Sequence, residues 1–304
     1  MNRIVQSIPN FSEGRDKEKI ERIVDSVRNI AGVKLVDYSS DESHNRSVVT
    51  LLGSPEKVVE ALTNLAKATS EEIDMTKHEG AHPRMGALDV VPLVPIQGIT
   101  MEETVEFAKQ VAKNIADLGI PVYLYEEAAT TPERKNLANV RKGGYEGFFE
   151  KIKENNWKPD FGPSIMNEKS GATAVSAREH LIAFNVNLST SDVEIADKIA
   201  KKVRFIGGGL RFVKAMGVLL ENRNIAQVSM NLVNYKKSSI YSVVEFIKME
   251  ARRYGVSVVG TEVIGLVPMD ALVQSAEYYL QIEDFKPSQI LEYRLLEGKQ
   301  DEID

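Results

Sequence analysis

One order of strands and helices occurs twice in this chain of 304 residues, and this repetition limits the fold more than any other feature. Apolar runs predict first-half strands at residues 3–8, 33–38, 46–52 and 87–95, and helical stripes predict helices at residues 16–30 and from residue 55 into the 70s. The second half predicts strands at residues 180–188, 213–220, 226–233 and 256–267, with helices at 191–202 and 239–254. A doubled β-α-β-β-α-β order predicts an α/β (α+β) protein with two ferredoxin-like lobes.

The residues between the two repeats carry extra elements. A helix is predicted at residues 101–118, a strand at 122–126 and a basic helix at 132–141. The stretch DFGPSIMNEKSGAT at residues 160–173 is too polar for a core and too long for a simple connection, which favours a binding loop. We therefore expect two domains, a first lobe at residues 1–178 that carries the catalytic histidine and a second lobe at residues 179–304.

Composition excludes several kinds of chemistry. The chain has no cysteine, so disulfides, thiolate nucleophiles and cysteine-ligated zinc are excluded, and only His, Asp and Glu remain as metal ligands. A formal charge of −6 gives no overall attraction to nucleic acid or to an anionic membrane. The start of the sequence lacks an apolar signal core, and the longest uncharged apolar run contains Pro92 and Pro95. These features predict a soluble, cytoplasmic protein.

The sequence HEGAHPRMG at residues 78–86 concentrates reactive side chains. It fits the H-E-x-x-H pattern of zinc metallopeptidases, which need both histidines on one face of a helix. Gly80 weakens a helix at the centre of the pattern, and Pro83 pushes His82 toward extended backbone. The sequence therefore disfavours a zinc site, although a zinc hydrolase remains an alternative.

The two histidines of this segment have different predicted roles. We expect the helix that begins at residue 55, or a short successor, to end near residues 77–80, so that His78 lies on its last turn as a helix-end residue. His82 is fixed by Pro83 and lies beside Arg84, which suits proton transfer near neutral pH. A purely structural helix-to-strand turn is the alternative.

Several long segments carry a resemblance to one family. They include IPNFSEGR at 8–15, HNRSVVTLLG at 44–53, HEGAHPRMGALDVVPLVP at 78–95, SGATAVSAREHLIAFNVNL at 170–188 and VGTEVIGLVPMDAL at 259–272. In this collinear set the chain resembles the formiminotransferase (glutamate formimidoyltransferase) family. The resemblance covers nearly the whole sequence.

The resemblance implies an activity and a site. Members move a formimidoyl group from N-formimidoyl-L-glutamate to N5 of tetrahydrofolate in histidine degradation, as homodimers, with tetrahydrofolate as co-substrate and no metal. It also implies two facing mixed sheets with helices outside and substrates in a groove between the lobes. His82 matches the catalytic histidine, acting as general acid and base. The implied folate-binding residues are Pro163, Ser164, Ile165, Met166, Asn167, Glu168, Lys169, Ser170, Gly171 and Ala172.

Further residues are candidates for supporting roles. Both substrates carry glutamate carboxylates, so arginines and a lysine are candidate anion partners, namely Arg46, Arg84, Arg178 and Lys169. Acidic side chains could orient His82 or stabilise its charged form, namely Glu79 and either Asp37 or Asp41, and Asn45 is a further candidate for a supporting role. The alternative for the basic group is ordinary surface charge, and for the acidic group the polarity of helix ends and turns.

Besides the zinc hydrolase, two other functions remain open from the sequence. A transferase of the same kind could use N-formylglutamate or 5-formyltetrahydrofolate. A folate-binding protein without turnover could keep both lobes. The sequence stops at Asp304, where bifunctional animal relatives continue into a cyclodeaminase domain, so we expect a monofunctional transferase.

Overall fold

The computed structural model describes residues 3–80 and 83–298, with side chains up to residue 294 in the second range. Within these ranges the chain divides into two compact units, residues 1–179 and 180–304. Two residues of the HEGAHPRMG segment lie outside the described residues: Ala81 and His82, the predicted catalytic histidine. The predicted α+β class with two sheets is confirmed, and each unit is described separately below.

The first unit is built on a seven-stranded mixed sheet. Its strands are β1 (Ile4–Ser7), β2 (Asn10–Phe11), β3 (Val33–Asp41), β4 (Arg46–Gly53), β5 (Leu88–Gln97), β6 (Val122–Glu126) and β7 (Thr173–Ala177). Its helices are α1 (Lys17–Asp25), α2 (Pro55–Glu72), α3 (Met101–Ala116), α4 (Leu137–Arg141) and α5 (Gly144–Lys151), with short 3-10 turns at Pro132–Lys135 and Asn155–Trp157.

The sheet order explains why the first sheet is mixed. Antiparallel pairing joins β3 to β4, and it joins both β1 and β2 to β4 on one side and to β5 on the other. The predicted β-α-β-β-α-β order requires this pairing. α3 then carries the chain from β5 to β6, and β7 inserts between them so that both β5–β7 and β6–β7 are parallel. The carboxyl ends of these three parallel strands therefore lie together at one edge of the unit.

The second unit holds a four-stranded antiparallel sheet in the order β11-β8-β10-β9. Its strands are β8 (Ile182–Leu188), β9 (Val213–Leu220), β10 (Ile225–Leu232) and β11 (Val258–Ile264), and its helices are α6 (Val193–Val203), α7 (Ile240–Arg252), α8 (Met269–Leu280) and α9 (Leu291–Gly298). The ferredoxin-like order is as predicted. The sheet is antiparallel rather than mixed because β10 separates β8 from β9, and β8 separates β10 from β11.

Each unit has its own apolar core. The first contains fully buried side chains of the sheet and of α2 and α3, such as Leu51, Leu62 and Ile115. The second contains Val186, Ile199 and Ile247, from β8, α6 and α7. No helix among the described ranges is both long and apolar enough to cross a membrane.

Three local predictions differ from the structure. The predicted basic helix at 132–141 is broken at Asn136, whose side chain accepts from the Ala138 N–H and so begins α4 afresh. β7 and α5 were not predicted at all. The long helix α2 ends at Glu72, because Ile73 turns to extended backbone and buries its side chain in the core.

Candidate active site

His78 lies six residues beyond α2, so its predicted place on the last turn of that helix is wrong. After Ile73 leaves the helix, the Asp74 side chain accepts from the Thr76 N–H at 3.1 Å and forms a turn. His78 is half-buried after this turn. Its Nε2 lies 3.0 Å from the Asn45 carbonyl oxygen, and its Nδ1 accepts from Arg84 Nε at 3.2 Å. This pair of partners requires a neutral imidazole with its proton on Nε2.

Asn45 braces the backbone that leads toward residue 82. It is buried and has a φ of 47°, a left-handed conformation that asparagine tolerates. Its Nδ2 donates to the Glu79 carbonyl at 2.8 Å, and its Oδ1 accepts from the Gly14 N–H at 2.9 Å. A Cβ on Gly80 would lie 2.4 Å from the His44 carbonyl oxygen, so only glycine fits there. The N-terminal flank of His82 is therefore held closely.

Arg84 holds the C-terminal flank. Its guanidinium donates to both carboxylate oxygens of Glu146, at 3.0 and 2.7 Å, and its Nη2 also donates to the His78 carbonyl at 3.0 Å. Through these bonds, Arg84 contacts protein groups of the first unit. Its role as a partner of a substrate carboxylate stays a prediction. Glu146 belongs to α5, a helix that the sequence did not predict.

Asp89 connects this flank to α4. Its side chain is 1% exposed; Oδ1 accepts from the Met85 N–H at 2.9 Å, and Oδ2 accepts from Arg141 Nη2. Arg141 was not predicted as a site residue, although the basic segment around it was noted. A buried carboxylate just inside β5 was the one signal that could have pointed to it, since such a group needs a cationic partner.

The predicted folate-binding segment runs beside the same flanks. The Lys169 and Ser170 carbonyls accept from the Met75 and Ala87 N–H groups, both at 2.8 Å, and the Ala172 N–H donates to the Met85 carbonyl at 2.9 Å. The structure therefore brings the predicted folate segment next to the segment that carries His82.

Small residues permit this approach. Gly171 has a φ of 70°, and a Cβ there would lie 2.3 Å from the Met85 carbonyl oxygen. A Cβ on Gly86 would lie 2.2 Å from the Ala172 carbonyl oxygen. The two backbones cross at glycines because no side chain fits between them.

The first residues of the predicted folate-binding segment are open to solvent. Pro163, Ser164 and Ile165 are exposed, Ile165 to 76%, whereas Met166 is buried. Asn167 shapes the following turn, because its Oδ1 accepts from the Ser170 N–H at 2.9 Å. The folate-binding role of this segment stays a prediction.

The remaining predicted residues lie farther along the first unit. Asp37 is exposed on β3 opposite Thr50, and Glu79 is exposed with its carbonyl bound to Asn45. Asp41 pairs with His44 at 2.9 Å. Arg178 follows β7 and donates to the Glu179 carbonyl at 2.9 Å, and burial lowers the pKa of its guanidinium. Lys169 donates to the Glu71 carbonyl at 2.8 Å.

No group of three or more His, Asp and Glu side chains in residues 3–80 and 83–294 is arranged to hold a metal ion. His78, the first histidine of the zinc pattern, uses both ring nitrogens within the protein.

The His78 contacts make stability depend on pH. Burial lowers the pKa of His78 below its ordinary value near ~6.5, and the positive charge of Arg84 adds to this effect, while the Asn45 carbonyl opposes it. Because the unfolded chain then binds the proton more readily, the free energy of unfolding should fall as the pH drops from about 6.5 through the lower folded pKa. Urea denaturation of the wild type and His78→Gln at pH 7.5, 6.5 and 5.5 tests this: the stability advantage of the wild type should shrink with falling pH. If the free energy of unfolding changed equally with pH in both proteins, the prediction would be contradicted.

Comparison with known proteins confirms the predicted class, a transferase. The protein-family model described as "Formiminotransferase domain, N-terminal subdomain" matches residues 4–178. A second family model, described as "Formiminotransferase domain", matches residues 183–293. The chain belongs to the formiminotransferase family.

Related proteins extend this finding. A glutamate formimidoyltransferase of Streptococcus pyogenes is 57% identical over 97% of this chain and all of its own length. One from Thermoplasma acidophilum is 48% identical over 96% of this chain and 97% of its own length. The mouse formimidoyltransferase-cyclodeaminase is 44% identical over 93% of this chain, which spans 53% of that relative.

Proposed function

We propose that this chain transfers the formimidoyl group of N-formimidoyl-L-glutamate to N5 of tetrahydrofolate, giving 5-formimidoyltetrahydrofolate and glutamate. The observation that carries this proposal is the match of both family models, with 57% identity to a glutamate formimidoyltransferase across its full length.

The reaction needs a proton to move between two nitrogens. Attack of N5 on the amidine carbon forms a tetrahedral intermediate, in which N5 must lose a proton and the glutamate nitrogen must gain one before its bond to carbon breaks. His82 serves as the base in the first transfer and as the acid in the second. No metal and no covalent enzyme intermediate are needed, because holding both substrates together supplies much of the remaining rate.

The anchored flanks support this role for His82. Asn45 and Gly80 hold the chain on one side, and Arg84, Met85 and Asp89 hold it on the other. A catalytic side chain needs such a rigid frame, since a displacement of about 1 Å can cost about 10²-fold in rate. The neutral state of His78 also keeps a second positive charge away from Arg84.

The folate-binding role of residues 163–172 belongs to the same proposal. Its support is the exposure of Pro163, Ser164 and Ile165, together with the hydrogen bonds that join the C-terminal end of the segment to Met85 and Ala87. We further propose that the enzyme is a cytoplasmic homodimer and that tetrahydrofolate is its co-substrate. Light scattering of the purified protein tests the dimer.

An assay of the purified protein tests the activity. Incubation with formimidoylglutamate and tetrahydrofolate should give the 5-formimidoyl product at a rate proportional to enzyme, and omission of either substrate should abolish it. N-formylglutamate serves as the matched donor. Turnover with the formyl donor alone would contradict the proposal in favour of formyl transfer, and folate binding without any turnover would indicate a non-catalytic folate-binding protein.

A further inference from the structure

Two arginines of the first unit share one buried carboxylate. Arg141, the last residue of α4, donates through Nη2 to Asp89, whose side chain is 1% exposed. Arg46, the first residue of β4, lies within electrostatic reach of both Arg141 and Asp89. Asp41 also acts on Arg46, but it is exposed and pairs with His44. Among the described residues, two guanidinium groups and one carboxylate therefore lie together here.

Both guanidinium groups are partly withdrawn from water. Arg46 is partly buried, and burial lowers the pKa of its guanidinium, with the positive charge of Arg141 adding to the effect. The Arg141 side chain is 15% exposed, and its Nε is buried with no hydrogen-bond partner within the described residues. A buried guanidinium N–H without a partner is unfavourable, and the carboxylate of a ligand can accept from it.

The position of the cluster fits a ligand site. Val49 and Leu51 of β4 point into the helix-covered core, so Arg46 lies on the opposite face of the sheet. On β6, the hydroxyl of buried Tyr125 lies within reach of the positive charges of Arg178 and Arg141. Asp89 also binds the Met85 N–H, so it links the cluster to the segment that carries His82.

We infer that Arg141 and Arg46, with Arg141 oriented by Asp89, bind a substrate carboxylate. This inference rests on the proposed function, whose two substrates both carry a glutamate. The planar fork of an arginine matches a carboxylate, and its bonds to a charged group are strong enough to determine affinity. The inference adds Arg141 to the site residues predicted from the sequence, and it gives Asp89 the role of a positioning residue.

Kinetics of Arg141→Gln and Arg46→Gln test the inference. Loss of a charge-assisted hydrogen bond is expected to raise one KM about 10- to 100-fold with a smaller change in kcat. A higher KM for formimidoylglutamate would assign the site to the donor. A higher KM for tetrahydrofolate but not for tetrahydropteroate, which lacks the glutamate, would assign it to the folate tail. Arg28→Gln, which removes an arginine from an exposed cluster with Glu21 and Asp25, is the matched control.

Two further measurements keep the test decisive. Arg141→Gln leaves Asp89 buried without its partner, so thermal melting identifies loss of folding, and Arg141→Lys then replaces it as a variant that keeps the charge but not the fork. Binding of L-glutamate or glutarate by calorimetry, without turnover, should be weakened in the Arg141 and Arg46 variants. Unchanged KM values and unchanged binding in folded variants would overturn the inference. Carboxylate binding that depends on Arg141 in a protein with no transferase activity would overturn the proposed function instead.

Discussion

His82→Ala is expected to lower turnover about 10²- to 10⁴-fold while folate binding is retained, because it removes the proposed acid and base from the transfer. The amidine carbon would still meet N5, but the glutamate nitrogen would leave without a positioned proton. Single-turnover kinetics with formimidoylglutamate, together with fluorescence titration of folate, would separate the two effects. In the wild type, kcat should follow the titration of one group near neutral pH, and this dependence should disappear in the variant.

His44→Ala is the control for His82→Ala. His44 is exposed and pairs with Asp41 at 2.9 Å, so its removal should leave turnover close to that of the wild type. Full activity of folded His82→Ala would contradict the proposed mechanism. Loss of folate binding together with activity would show that His82 contributes to binding instead of proton transfer.

Asp160→Ala is expected to destabilise the first unit by about 3–5 kcal/mol, because it leaves a buried guanidinium without its partner. Asp160 accepts from Arg134 Nη1 at 2.6 Å and from the Leu124 N–H at 2.7 Å, and both side chains of the ion pair are at most 7% exposed. Arg134 also lies over the rings of Tyr123 and Trp157. This cluster anchors the start of the proposed folate segment.

Urea denaturation measures the Asp160 effect, with Glu150→Ala as the control. Glu150 and Lys153 form an exposed ion pair, whose loss should change the free energy of unfolding by less than about 1 kcal/mol. At urea concentrations too low to unfold the protein, Asp160→Ala should also weaken folate binding, because residues 163–172 lose the anchor at their start. An Asp160→Ala effect as small as that of Glu150→Ala would contradict the role assigned to the buried pair.

The repeated β-α-β-β-α-β order was predictable because most of its elements have clear periodicity. β4, for example, alternates buried and partly exposed side chains from Ser47 onward, and α6 places Ala196, Ile199 and Ala200 on one buried face. Both halves could therefore be placed from the sequence. The antiparallel character of the second sheet depends on strand order, which local patterns do not specify.

The elements that were missed lack such periodicity. β7 consists of small residues that are all buried, as expected for a central parallel strand, so it shows no alternation. α5 begins with Gly144 and contains Gly147, which disfavour a helix in isolation, and its burial of Tyr145 and Phe148 stabilises it instead. Glu146, the partner of Arg84, was missed together with its helix.

Contacts between distant segments explain the remaining differences at the site. The sequence predicts His78 at a helix end because local periodicity does not show where α2 ends. That end is determined by Ile73, which leaves the helix and buries its side chain in the core. The proximity of the folate segment to the His82 segment depends on the crossing of Gly86 and Gly171, which are far apart in sequence. Arg141 reaches Asp89 across 52 positions. Pairings of this kind follow from the fold and not from spacing along the chain.

The most direct test of the proposed function follows the transferred carbon itself. Formimidoylglutamate labelled with ¹³C at the formimidoyl carbon would be mixed with tetrahydrofolate and enzyme, and its resonance followed by NMR. The label should leave glutamate and appear on folate N5, still bonded to its imino nitrogen, with one free glutamate per transferred carbon. A label that stays on glutamate in the presence of folded enzyme and both substrates would contradict the proposed transfer.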